Sequence, residues 1–302
     1  MPDHPSRRAF LHQVMGLWAA GWWPGGQAGS TDNPDRERLQ HWVAKLRHEG
    51  PTRQGMPLGR SVARVGELAA GTPYEPGTLE AYLRAGGSPT GTEPLTCSLT
   101  HFDCVTLVES CLAVARVAAQ AAPATWARFG HEIERMRYRG GERRDYASRL
   151  HYFSEWIMDG AQRGLVRDLG PELGGARDAR PLRFMTEHRP SYPALASEPA
   201  FQAIAAMERR LDESTRTFIP AARIPEIVPQ LESGDVLAFA TSIPGLDVTH
   251  AALAYRDDSD ALRVLHAPLS GGVVEITRST VPEYVAAIRR ATGIYVARPL
   301  PG

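Results

Sequence analysis

The chain has 302 residues, 43% hydrophobic and 23% charged, and its 34 basic and 34 acidic side chains balance to zero formal charge. This is an ordinary globular composition, long enough for one large domain or two small ones. Charge balance argues against a nucleic-acid binder and against attachment to anionic membrane by charge alone, and no apolar run reaches the ~18 residues that a spanning helix needs.

In chain order, Ser6-Arg7-Arg8-Ala9-Phe10-Leu11 opens a moderately apolar stretch that runs to Trp23, and Pro24-Gly25-Gly26-Gln27-Ala28-Gly29-Ser30 follows it. Paired arginines before a short, weakly hydrophobic segment resemble a twin-arginine export signal. Residues 1–30 are therefore expected to be handled by the twin-arginine export machinery, which places the mature protein in the periplasm or otherwise outside the inner membrane. No cysteine follows the apolar segment, which speaks against a lipoprotein anchor, so no stable membrane anchor is expected.

Residues 35–50 predict an amphipathic helix with Trp42, Val43 and Leu46 on its apolar face. A second helix is expected over Val62 to Ala70. The stretches Gly71 to Gly77 and Gly86 to Pro94 break regular structure with prolines and glycines. From Cys104 to Ala121 the pattern is helical and apolar on most faces, which marks a central, buried helix. Trp126 to Arg139 and Ala147 to Arg163 read as further helices, with Phe153, Trp156 and Ile157 inward. Residues 168–200 are rich in Gly, Pro and Arg and read as a long surface excursion; Phe201 to Leu211 is a short helix.

The C-terminal third changes character. Asp235–Ala240, His250–Tyr255, Leu262–Leu269, Val273–Thr277 and Ile294–Arg298 read as short strands separated by turn residues, with a helix over Val281–Arg290 before the last. Short connections imply antiparallel pairing. The expected class is α+β: N-terminal helices, one of them buried, packed on a C-terminal antiparallel sheet of about five strands. Residues 31–302 are expected to form a single domain, with a helical and loop insertion at about 122–220.

Cys104 is the chemically informative residue. It lies where an extended segment becomes the buried helix, and a thiol there meets unpaired N–H groups and the positive end of the helix dipole. Both favour thiolate. His250 and His266, in strand-like segments downstream, can bring imidazoles to that sulfur. Of the other cysteines, Cys111 is seven residues along the same helix, about 10 Å of rise away and too far to bridge to Cys104. Cys97 and Cys111 either pair with each other or remain two buried thiols.

Several separated segments resemble the NlpC-type papain-like hydrolases of bacterial cell walls. These are Gly71-Thr72-Pro73-Tyr74, Asp103-Cys104, Gly234-Asp235-Val236-Leu237-Ala238-Phe239, His250, and His266-Ala267. Cys104 is followed by Val105-Thr106 where the common pattern has Ser-Gly, and a helical block precedes the sheet. Phe102-Asp103-Cys104-Val105-Thr106 and Ser148-Arg149-Leu150-His151-Tyr152 resemble a narrower branch, the N-acetylmuramoyl-L-alanine amidase-like group. The resemblance implies a papain-like fold and amide hydrolysis in muropeptides, anhydro-muramoyl turnover products among them.

On that resemblance Cys104 is the nucleophile, His250 its acid–base partner, and His266 the group that orients His250. The oxyanion is expected to meet the Cys104 N–H and the Tyr74 hydroxyl. Asp103, Arg149, His151 and Tyr152 are candidate contacts to sugar or peptide, although Arg149, His151 and Tyr152 equally suit bracing of helix against helix. Glu109, on an apolar helix, is expected to pair with a buried arginine. The rival is zinc chemistry, but His131-Glu132-Ile133-Glu134-Arg135 lacks the second histidine of a zinc-binding helix, and no cofactor is expected. Two further readings share the fold: an endopeptidase cutting between D-glutamate and diaminopimelate, and a wall-binding module without activity.

Overall fold

The computed structural model describes residues 33–50, 57–269 and 272–302. The expected export signal lies outside the described residues. Helix α1 (Pro34–Glu49) starts where the Asn33 side chain accepts from the Asp35 N–H, and stops at Gly50, whose φ of 85° is left-handed. Helix α2 (Leu58–Ala69) buries Leu58, Val62, Val65 and Ala69 along one stripe. Helix α3 (Cys104–Ala119) is buried almost all round from Thr106 to Ala118. Next come α4 (Trp126–Arg137), α5 (Phe153–Gln162) and, after an irregular region, α6 (Glu198–Asp212).

The sheet has eight strands among the described residues: β1 (Val166–Asp168), β2 (Ala176–Asp178), β3 (Arg216–Pro220), β4 (Val236–Thr241), β5 (Val248–Arg256), β6 (Leu262–His266), β7 (Glu275–Thr280) and β8 (Ala291–Pro299). Helix α7 (Val281–Ala287) links the last two. The order is β2-β3-β8-β4-β5-β6-β7, with β1 also on β8, and these strand pairs are antiparallel. The α+β class and the helix-then-sheet order are as expected, but eight strands replace about five. The additional strands are β1, β2 and β3; the short, charged sequences of the first two, Val-Arg-Asp and Ala-Arg-Asp, have no alternation to read, and these two extend because β8 and β3 offer them edges.

Strand β4 is buried at every position, because both faces of the sheet are covered. Val236, Ala238 and Ala240 pack with Leu107, Val108 and Cys111 of α3; Leu237 and Phe239 pack with Val281 and Val285 of α7. Ahead of β4, Gly234 has φ 89°, and a Cβ there would lie 2.0 Å from the Gly59 carbonyl oxygen, so this Gly-Asp turn lets α2 approach the sheet.

Two further expectations need correction. Residues 168–200 are not a surface excursion: Leu182, Phe184, Met185, Ala194 and Leu195 form a third core with Ile204, Met207 and Leu211 of α6. The helix expected from Ala147 starts at Phe153 instead. Residues 149–152 stay outside it because Arg149 bridges to Tyr138 and the Leu150 N–H donates to the Arg137 carbonyl at 2.9 Å. The pairing left open for Cys97 and Cys111 resolves to two free thiols.

Candidate active site

Asp103 fixes the start of α3. Its carboxylate accepts from the Thr106 N–H at 2.7 Å, and the Thr106 hydroxyl accepts from the Asp103 N–H at 2.9 Å, a reciprocal capping box. Cys104 follows as the first helical residue, half-buried. Its thiol is pushed up to about 12, first by burial and then by the Asp103 carboxylate; the N–H groups of Ala251, Val105 and Cys104 itself oppose this. The helix terminus does favour the anion, but loss of water and the neighbouring carboxylate outweigh it.

Ala251, whose N–H acts on the sulfur, lies beyond the β5–β6 ladder, which begins at Leu253 opposite Leu265. His250 precedes it on β5. His250 Nε2 lies 2.9 Å from His266 Nδ1, and the rings meet edge to face with centroids 5.1 Å apart. Both residues are buried, at 5% and 2% exposure. The His250 ring stacks on Phe239, its cross-strand neighbour on β4, at 5.7 Å. Burial and then the adjacent His266 lower His250 to about 3, and burial lowers His266 to about 4. His250 Nδ1 and His266 Nε2 are buried with no hydrogen-bond partner among the described residues.

Tyr74 is held at the same site by backbone pairing. Its N–H donates to the Gly272 carbonyl at 2.9 Å, while the Phe102 N–H donates to the Pro73 carbonyl at 3.0 Å and the Glu75 N–H to the Phe102 carbonyl at 2.9 Å. The phenol is raised above its ordinary range by burial, then by Cys104 and Asp103, which puts it beside both. Tyr74 and Asp103 thus lie beside Cys104, while His250 and His266 form a pair linked to it through Ala251, the residue after His250, and through Tyr284. A surface cavity of about 480 Å³ lined by Arg60, Glu67, Tyr255 and Asp258 contains none of them.

Arg149, His151 and Tyr152 belong to other networks. Arg149 is buried between Glu80 (2.5 Å) and Glu93 (3.1 Å), with its guanidinium over the Tyr146 ring. His151 Nε2 lies 2.8 Å from the Tyr146 carbonyl oxygen. The Tyr152 hydroxyl donates to Glu208 at 2.7 Å in the third core. Each of these side chains is thus paired within the protein. Glu109 pairs with Arg137 at 2.7 Å inside the protein, as its position on an apolar helix led one to expect.

Two neighbours of the histidines were not anticipated from sequence. The Tyr284 hydroxyl on α7 is 3.4 Å from His266 Nδ1, and its phenol is raised by burial and by Cys104. Glu275 on β7 sits directly across from His266, with Oε1 3.6 Å from Nε2. Neither residue belongs to a motif; only the β6–β7 register and the seating of α7 reveal them. Among the described residues no group of three or more His, Cys, Asp or Glu side chains is placed to hold a metal ion, and no helix is long and apolar enough to cross a membrane.

A search of curated proteins returned no match. Solved structures do match. A Bacteroides uniformis N-acetylmuramoyl-L-alanine amidase is 28% identical with a TM-score of 0.72, over 80% of this chain and 99% of that one. A Bacteroides fragilis protein provisionally described as a xylanase is 30% identical with a TM-score of 0.70, over 78% of this chain and 99% of that one. A Legionella pneumophila protein shares the fold at 18% identity and a TM-score of 0.60, over 88% of this chain and 95% of that one. The family model for AmiA-like, N-acetylmuramoyl-L-alanine amidase-like proteins matches residues 64–294, a span that takes in Tyr74, Cys104, His250 and His266. The chain belongs to the N-acetylmuramoyl-L-alanine amidase-like family.

Proposed function

We propose that this protein is a cysteine-dependent N-acetylmuramoyl-L-alanine amidase that acts on muropeptides outside the inner membrane after twin-arginine export. The observation that carries the reading is the buried His250–His266 pair, with Nε2 of His250 engaged and Nδ1 left without a partner, on the strand whose next N–H acts on Cys104.

Chemistry follows from the proton positions. Burial keeps the resting pair neutral, a thiol and an imidazole. As Cys104 Sγ attacks the lactyl carbonyl of muramic acid, its proton passes to His250 Nδ1 and a C–S bond forms. The carbonyl oxygen becomes an oxyanion that accepts from the Cys104 N–H and the Tyr74 hydroxyl. The C–N bond then breaks, His250 returns the proton to the departing amine of L-alanine, and a thioester remains. Water gives a proton to His250 and attacks the thioester; the acid leaves and the thiol is restored. His266 keeps the His250 ring oriented throughout. The Asp103 cap uses Oδ1, which leaves Oδ2 to accept a substrate N–H.

The same geometry would serve an endopeptidase acting between D-glutamate and diaminopimelate, and product mass separates the two. A xylanase would need two carboxyl groups flanking a glycosidic bond, whereas of the carboxylates near this site Asp103 is spent on capping α3 and Glu275 sits against His266. The test is incubation of the purified protein and Cys104→Ala with muropeptides, anhydro-muramoyl forms included, read by mass spectrometry. Free peptide beginning with L-alanine, lost in the variant, is the expected result. Undiminished release by Cys104→Ala rejects the thiol mechanism; absence of any turnover, with Cys104 inert to alkylation, favours a binding module.

A further inference from the structure

We propose that Glu275 is a positioning residue that holds the proton of His266 on Nε2 and thereby keeps His250 Nδ1 unprotonated for the thiol. The inference rests on the amidase reading for its consequence, but not for its geometry.

One hydrogen lies between His250 Nε2 and His266 Nδ1 at 2.9 Å, and a neutral imidazole carries one N–H. Two arrangements are possible. In the first, His250 donates from Nε2, His266 accepts at Nδ1, and the His266 proton is on Nε2. In the second, His266 donates from Nδ1, and the His250 proton is forced onto Nδ1, where it blocks transfer from the thiol. Catalysis needs the first. Nothing in the pair of rings selects it, since each is a plain imidazole in a buried setting.

The selection comes from outside the pair. Glu275 is paired with His266 in the β6–β7 register, and its Oε1 is 3.6 Å from His266 Nε2. That is beyond hydrogen-bond length, so the effect is one of charge: a carboxylate attracts an N–H and repels a bare nitrogen lone pair. The second arrangement would point such a lone pair at Glu275. The Tyr284 hydroxyl, 3.4 Å from Nδ1, does not select between the two, since it can donate to a bare Nδ1 or accept from Nδ1–H. The titratable groups facing His266 are therefore His250 from β5, Glu275 from β7 and Tyr284 from α7. Helix α2 meets β6 at Gly66 against Leu265 and adds no charge there.

Glutamine at 275 is the informative change, because its amide can face either tautomer with a matching group and so removes selection without removing bulk. The full chain, with ¹⁵N-labelled histidine, is compared as wild type, Glu275→Gln, Glu275→Asp and Arg278→Ala, the last a control on the same strand. Long-range ¹H–¹⁵N spectra at neutral pH are expected to show both rings as Nε2–H tautomers in the wild type and in Arg278→Ala. Glu275→Gln is expected to give His266 a mixed signature, with kcat lowered about ten- to a hundredfold at unchanged KM. The acid limb of its pH profile is expected to move to lower pH, because loss of a nearby anion weakens the imidazolium. Glu275→Asp restores part of both. Ring spectra of Glu275→Gln identical to wild type overturn the proposal whatever the activity. Mixed tautomers in a protein that turns over no muropeptide support the proposal and reject the amidase reading instead.

Discussion

Glu109 Oε2 takes two contacts from one guanidinium: Arg137 Nη2 at 2.7 Å and Nε at 2.8 Å, both side chains nearly inaccessible to water. The pair joins α3, which carries Cys104, to α4. Arg137 also donates to the Thr96 carbonyl at 2.5 Å, so the guanidinium fixes the segment leading into the site as well. Removal of one partner leaves a buried charge with nothing to offset it. Glu109→Ala is expected to cost about 3–5 kcal/mol in urea unfolding. Glu109→Leu combined with Arg137→Met is expected to cost less than either single change. If the double variant is the least stable, the pair contributes more than its own desolvation.

The thiol of Cys104 is raised by Asp103 as well as by burial. Asparagine caps helices about as well as aspartate but carries no charge. Asp103→Asn is therefore expected to lower the thiol pKa, increase the thiolate fraction at neutral pH, and speed alkylation by iodoacetamide several-fold with little change in unfolding midpoint. An unchanged alkylation profile would show that the carboxylate does not act on the sulfur.

Stability should depend on pH through the histidine pair. His250 and His266 are lowered from an ordinary 6.5 to about 3 and about 4 in the folded protein. Below pH 6.5 the unfolded chain binds protons that the folded site refuses, so stability is full above that value and falls as pH drops toward 4 and 3. The slope contributed by each ring is at most about 1.4 kcal/mol per pH unit. Urea titrations at pH 7, 6, 5 and 4 are expected to show this fall, and His250→Asn with His266→Asn to flatten it. A slope unaltered by the double change would assign acid sensitivity to other groups.

Tyr152→Phe separates bracing from substrate contact. Glu208, fully buried, accepts from the Tyr152 hydroxyl at 2.7 Å and from the Met185 N–H at 3.2 Å. Loss of the hydroxyl is expected to cost about 1–3 kcal/mol of stability, with kcat and KM within about twofold of wild type. A large rise in KM at unchanged stability would return Tyr152 to the substrate site.

How much of this is legible in the residues alone depends on distance along the chain. The start of α3 is local: Asp103 and Thr106 cap it, and the apolar run after Cys104 can belong only inside. The strands bearing His250 and His266 are likewise local patterns, as is the Gly-Asp turn before β4. Strands β1 and β2 are not, since three residues such as Val166-Arg167-Asp168 have no preference until β8 supplies a partner. Nor is the extended stretch from Arg149 to Tyr152, whose Leu150 N–H is claimed by Arg137 from an earlier helix. Glu275 and Tyr284 are hidden for the same reason. An acid on a strand and a tyrosine on a short helix become neighbours of His266 only once β7 is in register and α7 folds back over the sheet.

The backbone rungs around Tyr74 carry one more implication. The Gly71 N–H donates to the Val274 carbonyl, the Val274 N–H to the Thr72 carbonyl, and the Tyr74 N–H to the Gly272 carbonyl. Main-chain groups that could otherwise recruit an incoming peptide as an extra strand are already spent on the protein itself at this border. A ligand reaching Cys104 cannot dock there by strand addition. Recognition along this border is left to side chains, Tyr74 among them.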